Sequence, residues 1–189
     1  WKNKKRRSKK LSEPVKPQIW LTLLWHMGLK MPWCWKTGPS TACERQHLLE
    51  MLDALVFPAF TLFCGDAGFV GYEFWSTIVD RKHSFLIRVG ANVRLLRNLG
   101  TARQKNGLVN LWPNEAARKK QPSLVLRLIE LKGPRGNVYL VTNVLSEREL
   151  SLKQARELYR ARWGIELQFR ALKQTFGRTK LRSRTAENA

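Results

Sequence analysis

Ser151-Leu-Lys-Gln-Ala-Arg-Glu-Leu-Tyr-Arg-Ala-Arg-Trp-Gly-Ile-Glu-Leu-Gln-Phe-Arg-Ala-Leu-Lys-Gln-Thr-Phe176 contains no proline and opens on a serine suited to capping a helix. At about 100° per residue, with Tyr159 at zero, Leu158, Ile165, Phe169, Leu172 and Phe176 fall between about −80° and −140°. That narrow apolar stripe predicts one long helix packed on a core. Tyr159, Arg162, Glu166 and Lys173 fall between about 0° and −60°, a second stripe of polar side chains along the edge of the first. Arg156, Arg160, Gln174 and Arg178 lie further round and extend a cationic flank. A purely structural account of Glu166 pairs it with Arg162 at i−4 and Arg170 at i+4, worth a few tenths of a kcal/mol per pair. Spacing alone leaves both accounts open.

Upstream of this helix the pattern shortens. Gln18–Trp25 is rich in branched and aromatic residues and reads as a strand, with a second extended piece at Pro32–Trp35. Thr41-Ala-Cys-Glu44 fits a capping box before a helix over 41–55, which gives Glu44 a structural role. Phe60–Cys64 reads as a buried strand ending at Gly65-Asp66, followed by a helix over 71–82 and a strand at Phe85–Val89. Val109–Trp112, Leu124–Leu131 and Val138–Val144 are three further strand-like runs separated by Gly, Pro and basic residues. The order predicts an α/β fold with an inserted β-rich subdomain. Asp66 stands at the carboxyl end of an apolar strand, where open α/β sheets meet their ligands. An aspartate there is also an ordinary turn former.

The 189 residues carry 35 Lys+Arg against 14 Asp+Glu, a net charge of +21. Such an excess points to a polyanionic partner, nucleic acid before an anionic membrane surface. Residues 1–10 hold seven Lys/Arg and no acid, and residues 151–189 hold ten against Glu157, Glu166 and Glu187. The basic character therefore belongs to two ends, the first of them an exposed arm up to about Pro17. No apolar run approaches the ~20 residues of a membrane span. Cys34, Cys43 and Cys64, with no C-x-x-C spacing, read as reduced thiols, so a cytoplasmic or nucleoid-associated protein is expected.

Tyr159, Arg162, Glu166 and Lys173 match the string Y-(2)-R-(3)-E-(6)-K and so resemble the signature of DNA transposases of the insertion-sequence-four type. Cys64-Gly-Asp-Ala-Gly-Phe-Val-Gly-Tyr-Glu-Phe-Trp75 resembles that family's second catalytic aspartate block, and Phe85-Leu-Ile-Arg-Val-Gly90 the strand after it. The resemblance implies a ribonuclease H-like mixed sheet with flanking helices. Its expected parts are a basic arm at 1–17, the first part of the core at 18–90, a β-rich insertion at 91–145, and the glutamate helix with its basic continuation at 146–189. It implies Asp66 and Glu166 as catalytic, metal-holding carboxylates for two magnesium or manganese ions. It also implies DNA contacts by Tyr159, Arg162 and Lys173. Arg170 joins these as a further expected DNA contact, and Trp112 as a platform for an extruded base. The expected partners are transposon ends and target DNA, with a dimer in the DNA complex and no membrane.

One feature departs from the family pattern. Its first aspartate precedes the Gln18–Trp25 strand, yet no Asp occurs before Asp53 and Glu13 is the only acid ahead of Glu44. A catalytic-core fragment lacking its first strand, and inactive alone, is the expectation. The alternative is a non-catalytic basic nucleic-acid-binding module whose acids are structural. Whether Asp66 and Glu166 meet across the intervening sequence discriminates between them.

Overall fold

The computed structural model describes residues 19–39, 41–90, 101–105, 107–134 and 136–175. The expected basic arm at 1–17, and Phe176, Arg178 and the rest of the C-terminal segment, lie outside the described residues.

Phe85, Ile87 and Val89 alternate with Leu86 along one strand, and all four are essentially inaccessible to solvent. A strand buried on both faces needs a layer on each side of its sheet. The helix Tyr72–Asp80 covers one face: Trp75 stacks on Phe85 with ring centroids 5.4 Å apart, and Phe74 and Ile78 fill in beside it. The helix Glu44–Ala54 adds Leu48, Met51 and Leu52 to the same core. On the other face Leu86 meets Ile129 and Leu140, closed over by Leu150 and Ala155.

In chain order the strands are β1 (Ile19–His26), β2 (Met31–Pro39), β3 (Leu62–Gly65), β4 (Ser84–Val89), β5 (Thr101–Lys105), β6 (Leu108–Trp112), β7 (Leu124–Leu131) and β8 (Val138–Thr142). Among the described residues the helices are α1 (Glu44–Ala54), α2 (Tyr72–Asp80), α3 (Glu115–Arg118), α4 (Leu152–Ala161) and α5 (Trp163–Thr175), with a 3-10 turn at Ala67–Phe69. β3 to β8 form one mixed sheet in the order β3-β4-β8-β7-β6-β5, parallel only between β3 and β4. Helices on both faces of a mixed sheet are compatible with the ribonuclease H-like expectation.

The β-rich stretch differs from expectation in its placement. Its runs do become strands, but β8 pairs along β4, with Leu86 opposite Thr142 and Ile87 opposite Val141, so they extend the core sheet rather than stand apart. The reason is that Leu140 and Val141 are as apolar and as buried as β4 itself. Asn143 locks the junction, accepting from the Phe85 N–H at 2.9 Å and donating to the His83 carbonyl at 3.0 Å.

β1 and β2 make a separate antiparallel hairpin with a register shift between Leu24 and Trp25. It is pinned to α1 by a hydrogen bond of 2.9 Å between Thr22 Oγ1 and His47 Nδ1 and by an ion pair between Lys36 and Glu50. Gly38 permits the close approach: a Cβ there would stand 2.7 Å from His47 Nε2. Among the described residues one edge of β1 and one edge of β3 have no strand beside them.

The single long helix read from the sequence is two. Ser151 caps α4 with Gln154 in a reciprocal capping box. The Arg162 N–H still reaches back to the Leu158 carbonyl at 3.1 Å, but the Ile165 N–H bonds the Arg162 carbonyl, also at 3.1 Å, three residues back instead of four. The coil tightens by one 3-10 step around Gly164, a poor helix former. No helix among the described residues is long and apolar enough to cross a membrane.

Candidate active site

Asp66 owes its position to the turn that ends β3. A Cβ at Gly65 would come within 3.0 Å of the Phe69 ring, so glycine lets the chain fold back tightly. The Asp66 carboxylate accepts from the Gly68 N–H at 2.8 Å and caps the 3-10 turn. Two more hydrogen bonds fix the turn from outside: the Trp75 indole N–H donates to the Phe69 carbonyl at 3.0 Å, and Arg45 of α1 donates to the Val70 carbonyl at 2.8 Å. Asp66 thus serves as a turn former while its carboxylate stays exposed.

Glu44 does not cap its helix. The N-cap of α1 is Cys43, with no side-chain capping bond, so the expected Thr41–Glu44 capping box is absent. Glu44 lies at i−3, i−4 and i−7 from the buried His47, Leu48 and Met51, which puts it on the inward face of α1. Its carboxylate points at the Asp66 turn: a Cβ at Gly68 would find Asp66 Oδ1 at 3.0 Å and Glu44 Oε2 at 3.8 Å. Burial first, and then the charge of Asp66, hold the Glu44 carboxyl above the usual carboxylate range, with His47 opposing in part. This acid was missed in the sequence because the capping motif offered it a sufficient occupation. The continuation of the buried i, i+3, i+4 stripe was the signal available.

Arg162, at the joint of α4 and α5, is the most enclosed charge of the set. Its side chain is 15% exposed; Nη2 donates to Glu166 Oε1 at 2.8 Å and the guanidinium lies 5.3 Å from the Tyr159 ring centroid. Burial opposes its charge, but the Glu166 hydrogen bond, together with Tyr159 and the charges of Glu166 and Asp66, outweighs this and holds it above the ordinary arginine value. Cys64 lies within reach of the same field. Burial pushes its thiol up to about 12, with Arg162 pulling weakly the other way, so it is an inert packing group.

Asp66 and Glu166, distant in sequence, line one cavity of about 640 Å³ together with Glu44 and Arg162. Its apolar walls come from β1, β3 and the α4–α5 pair, where Leu158, Ile165 and Phe169 contribute. All three are half-buried; Leu158 also packs on the buried cluster of Leu86, Leu140, Leu150 and Ala155, as the sequence placed it, whereas Ile165 and Phe169 face the cleft rather than the core. The tightened turn at Arg162 and the free edges of β1 and β3 account for the difference.

The remaining expected residues are dispersed. Arg170 is exposed on α5, and the side chains of Leu172 and Lys173 lie outside the description. Trp112 is on β6, where its indole N–H donates to the Gln121 carbonyl at 3.1 Å. The structure does not bring it to the cavity.

Among the described residues no group of three or more His, Cys, Asp or Glu side chains is close enough to hold a metal ion. Glu44, Asp66 and Glu166 nonetheless offer hard oxygen donors. A magnesium ion, which keeps waters and substrate phosphate in its shell, needs only one or two protein carboxylates. Glu44 Oε2 and Asp66 Oδ1 approach one point beside Gly68, the kind of carboxylate crowding that a cation relieves.

The family described as "Transposase DDE domain" matches residues 36–189, which include Glu44, Asp66, Arg162 and Glu166. The chain is also 31% identical over 116 residues to "Transposase InsG for insertion sequence element IS4" from Escherichia coli (strain K12). That alignment covers 59% of this chain and 26% of the relative, so it spans about a quarter of the relative's length. No solved structure gives a significant match. An aspartate pinned at a strand end and a glutamate one turn beyond a half-buried arginine thus stand in one cleft within the matched region, and the chain belongs to the DDE transposase-domain family.

Proposed function

We propose that this chain is the catalytic core of a DNA transposase of the insertion-sequence-four type, acting by metal-dependent phosphoryl transfer. The observation that carries the reading is that Asp66 and Glu166 line one cavity and that the charges of both act on the Arg162 guanidinium, which donates to Glu166. Asp66 and Glu166 would hold magnesium or manganese, which supplies activation of the attacking oxygen and stabilisation of the leaving one. Glu44 crowds Asp66 and adds to the negative potential that draws a cation in. Arg162, backed by the Tyr159 ring, presents a fixed charge to a phosphate at the mouth of the cleft, a geometry suited to bidentate contact. Exposed Arg156, Arg160 and Arg170 continue this cationic surface along α4 and α5.

The first carboxylate of the family pattern has no counterpart before Asp53. The unpaired edges of β1 and β3 flank the cavity and suit an added strand, so the full site requires upstream sequence that ends in such a strand with an aspartate. The 189-residue chain is expected to bind duplex DNA with weak sequence preference and steep salt dependence, without cleaving it. Addition of the upstream strand should confer cleavage in magnesium that Glu166→Gln abolishes at nearly unchanged DNA affinity. Arg162→Ala should weaken DNA binding instead. Cleavage by the extended protein that survives Glu166→Gln would refute the assignment. A flat salt response would refute the phosphate contacts and favour a different partner class.

A further inference from the structure

Trp33 and Trp35 of β2 are 45% and 65% exposed, an unusual state for two tryptophans on one strand. Between them and after them, Cys34 and Lys36 turn to α1, where they contact Met51 and Glu50. By strand alternation Trp35, between Cys34 and Lys36, therefore stands on the hairpin face turned away from α1, and Trp33, left without a cross-strand partner at the register shift, is exposed two residues before it. Met31, 50% exposed, and the turn residue Leu29, 61% exposed, lengthen this surface towards the hairpin tip, where Lys30 is also exposed. The strand pair shifts register beside Trp33, and such bulges re-aim a side chain. Trp33 rests against the His26 ring, centroids 5.3 Å apart, and lines the cavity that holds Asp66 and Glu166. The aromatic face is thus continuous with the cleft.

We infer that this face of β2 is a stacking platform for single-stranded DNA entering or leaving the cleft, with Trp33 and Trp35 each taking a base. Two residues along a strand span roughly 6.5–7 Å. That is about twice the 3.4 Å rise between stacked bases, so one base fits between the two rings. A net charge of +21 opposes a second copy of the chain on this face and favours a polyanion that brings its own aromatic faces. Nucleic acid with unpaired bases has that chemistry; duplex DNA, whose bases are already stacked, has not. The inference rests on the transposase reading for the choice of DNA as the polymer.

The test compares a fluorescent 12-nucleotide oligo-dT with a 12-base-pair duplex, each titrated at one fixed salt concentration. The proteins are the parent chain, Trp33→Ala/Trp35→Ala and Trp33→Phe/Trp35→Phe. Stacking on an aromatic side chain predicts a loss of roughly 10- to 100-fold in single-strand affinity for the alanine pair. The phenylalanine pair should stay within about threefold of the parent, and duplex affinity should stay within about twofold in both. Equal single-strand affinity in the parent and the alanine pair, or a parallel loss on duplex, overturns the platform. Photocrosslinking of a 5-iodouracil-substituted single strand to the parent chain needs no variant to fold: adducts at Trp33 or Trp35 support it, and adducts confined elsewhere overturn it. Should the parent bind neither form of DNA, the transposase reading falls as well; salt-sensitive duplex binding without the single-strand effect sinks the platform alone. Self-association that Trp35→Ala removes, in place of DNA binding, would assign the face to a second copy and overturn the inference.

Discussion

Glu44→Gln is expected to stabilise the fold. The oxygens Glu44 Oε2 and Asp66 Oδ1 lie 3.8 and 3.0 Å from one point, the position a Cβ on Gly68 would take, so they are at most about 7 Å apart. Two like charges at that separation repel by about 0.6 kcal/mol in bulk water and about 2.4 kcal/mol at an effective dielectric constant of 20. Asp66 is exposed and Glu44 only half-buried, which places the real figure near the lower bound. A gain of about 0.5–1 kcal/mol at pH 7 and low salt follows from the amide substitution. Equilibrium urea unfolding of parent and variant measures it.

The same repulsion between Glu44 and Asp66 responds to pH, salt and magnesium. Because the folded-state pKa of Glu44 is raised, the parent keeps its relative stability below the ordinary carboxylate range and loses it as pH rises through the raised value. The advantage of Glu44→Gln should therefore vanish on acidification. It should shrink in 0.5 M salt, where the Debye length falls to about 4 Å. Millimolar magnesium should stabilise the parent more than the variant, since a cation that binds only the folded site adds to stability by mass action. A variant destabilised by more than about 1 kcal/mol, or one whose gain ignores both pH and salt, would show that Glu44 is a structural acid and that the crowding at Asp66 has been misread.

Three structural predictions accompany it. Gly38→Ala should cost about 1–3 kcal/mol in urea unfolding, because its Cβ would meet His47 at 2.7 Å and Ala42 at 2.9 Å and loosen the hairpin from α1. Ser151→Ala should cost about 1 kcal/mol by removing the α4 capping box, with no change in the α1 packing followed by hydrogen exchange. Burial first, and then Arg81, hold His83 below its ordinary pKa, so stability should decline as pH falls from neutrality through the usual histidine range, and His83→Leu should flatten that slope.

The sequence made the strands and the glutamate helix readable for a physical reason. β4, β7 and β8 carry buried side chains on both faces, so apolar residues dominate them. Ser151 announced the start of α4 because its cap is local chemistry, settled within three residues. The joint at Arg162 was invisible to a wheel that assumes one uniform pitch, and a 3-10 step there separates Leu158, which keeps its place on the core, from Ile165 and Phe169, which face the cleft. Where the β-rich stretch would sit was hidden on a different ground: strand spacing says nothing about which edge a strand will join, and β8 joined β4 with both strands buried in the sheet. Asp66 was legible from Gly65 and Gly68. Glu44 was not, because Thr41 and Glu44 spelled a local motif that tertiary packing of α1 overrode.

Stability and chemistry occupy different parts of this molecule. The inaccessible side chains, Trp75, Phe85, Ile78 and Leu86 among the largest, belong to α2 and the sheet from β4 outward. The candidate site is made instead from ends and joints: the residue just after β3, the first turn of α1 and the break between α4 and α5. Glu44, Arg162 and Glu166 are half-buried there, which costs folding energy that the sheet must offset. Among the described residues the cleft is also bordered by two strand edges without partners, a feature that soluble proteins ordinarily cover. Such a boundary is poorly placed to stabilise the fold and well placed to admit something extended, whether a further strand of the same protein between β1 and β3 or a nucleic-acid strand over β2. Substitutions at Asp66, Arg162 and Glu166 should accordingly change binding and chemistry far more than unfolding, whereas Trp75→Ala should do the reverse, at about 3–5 kcal/mol.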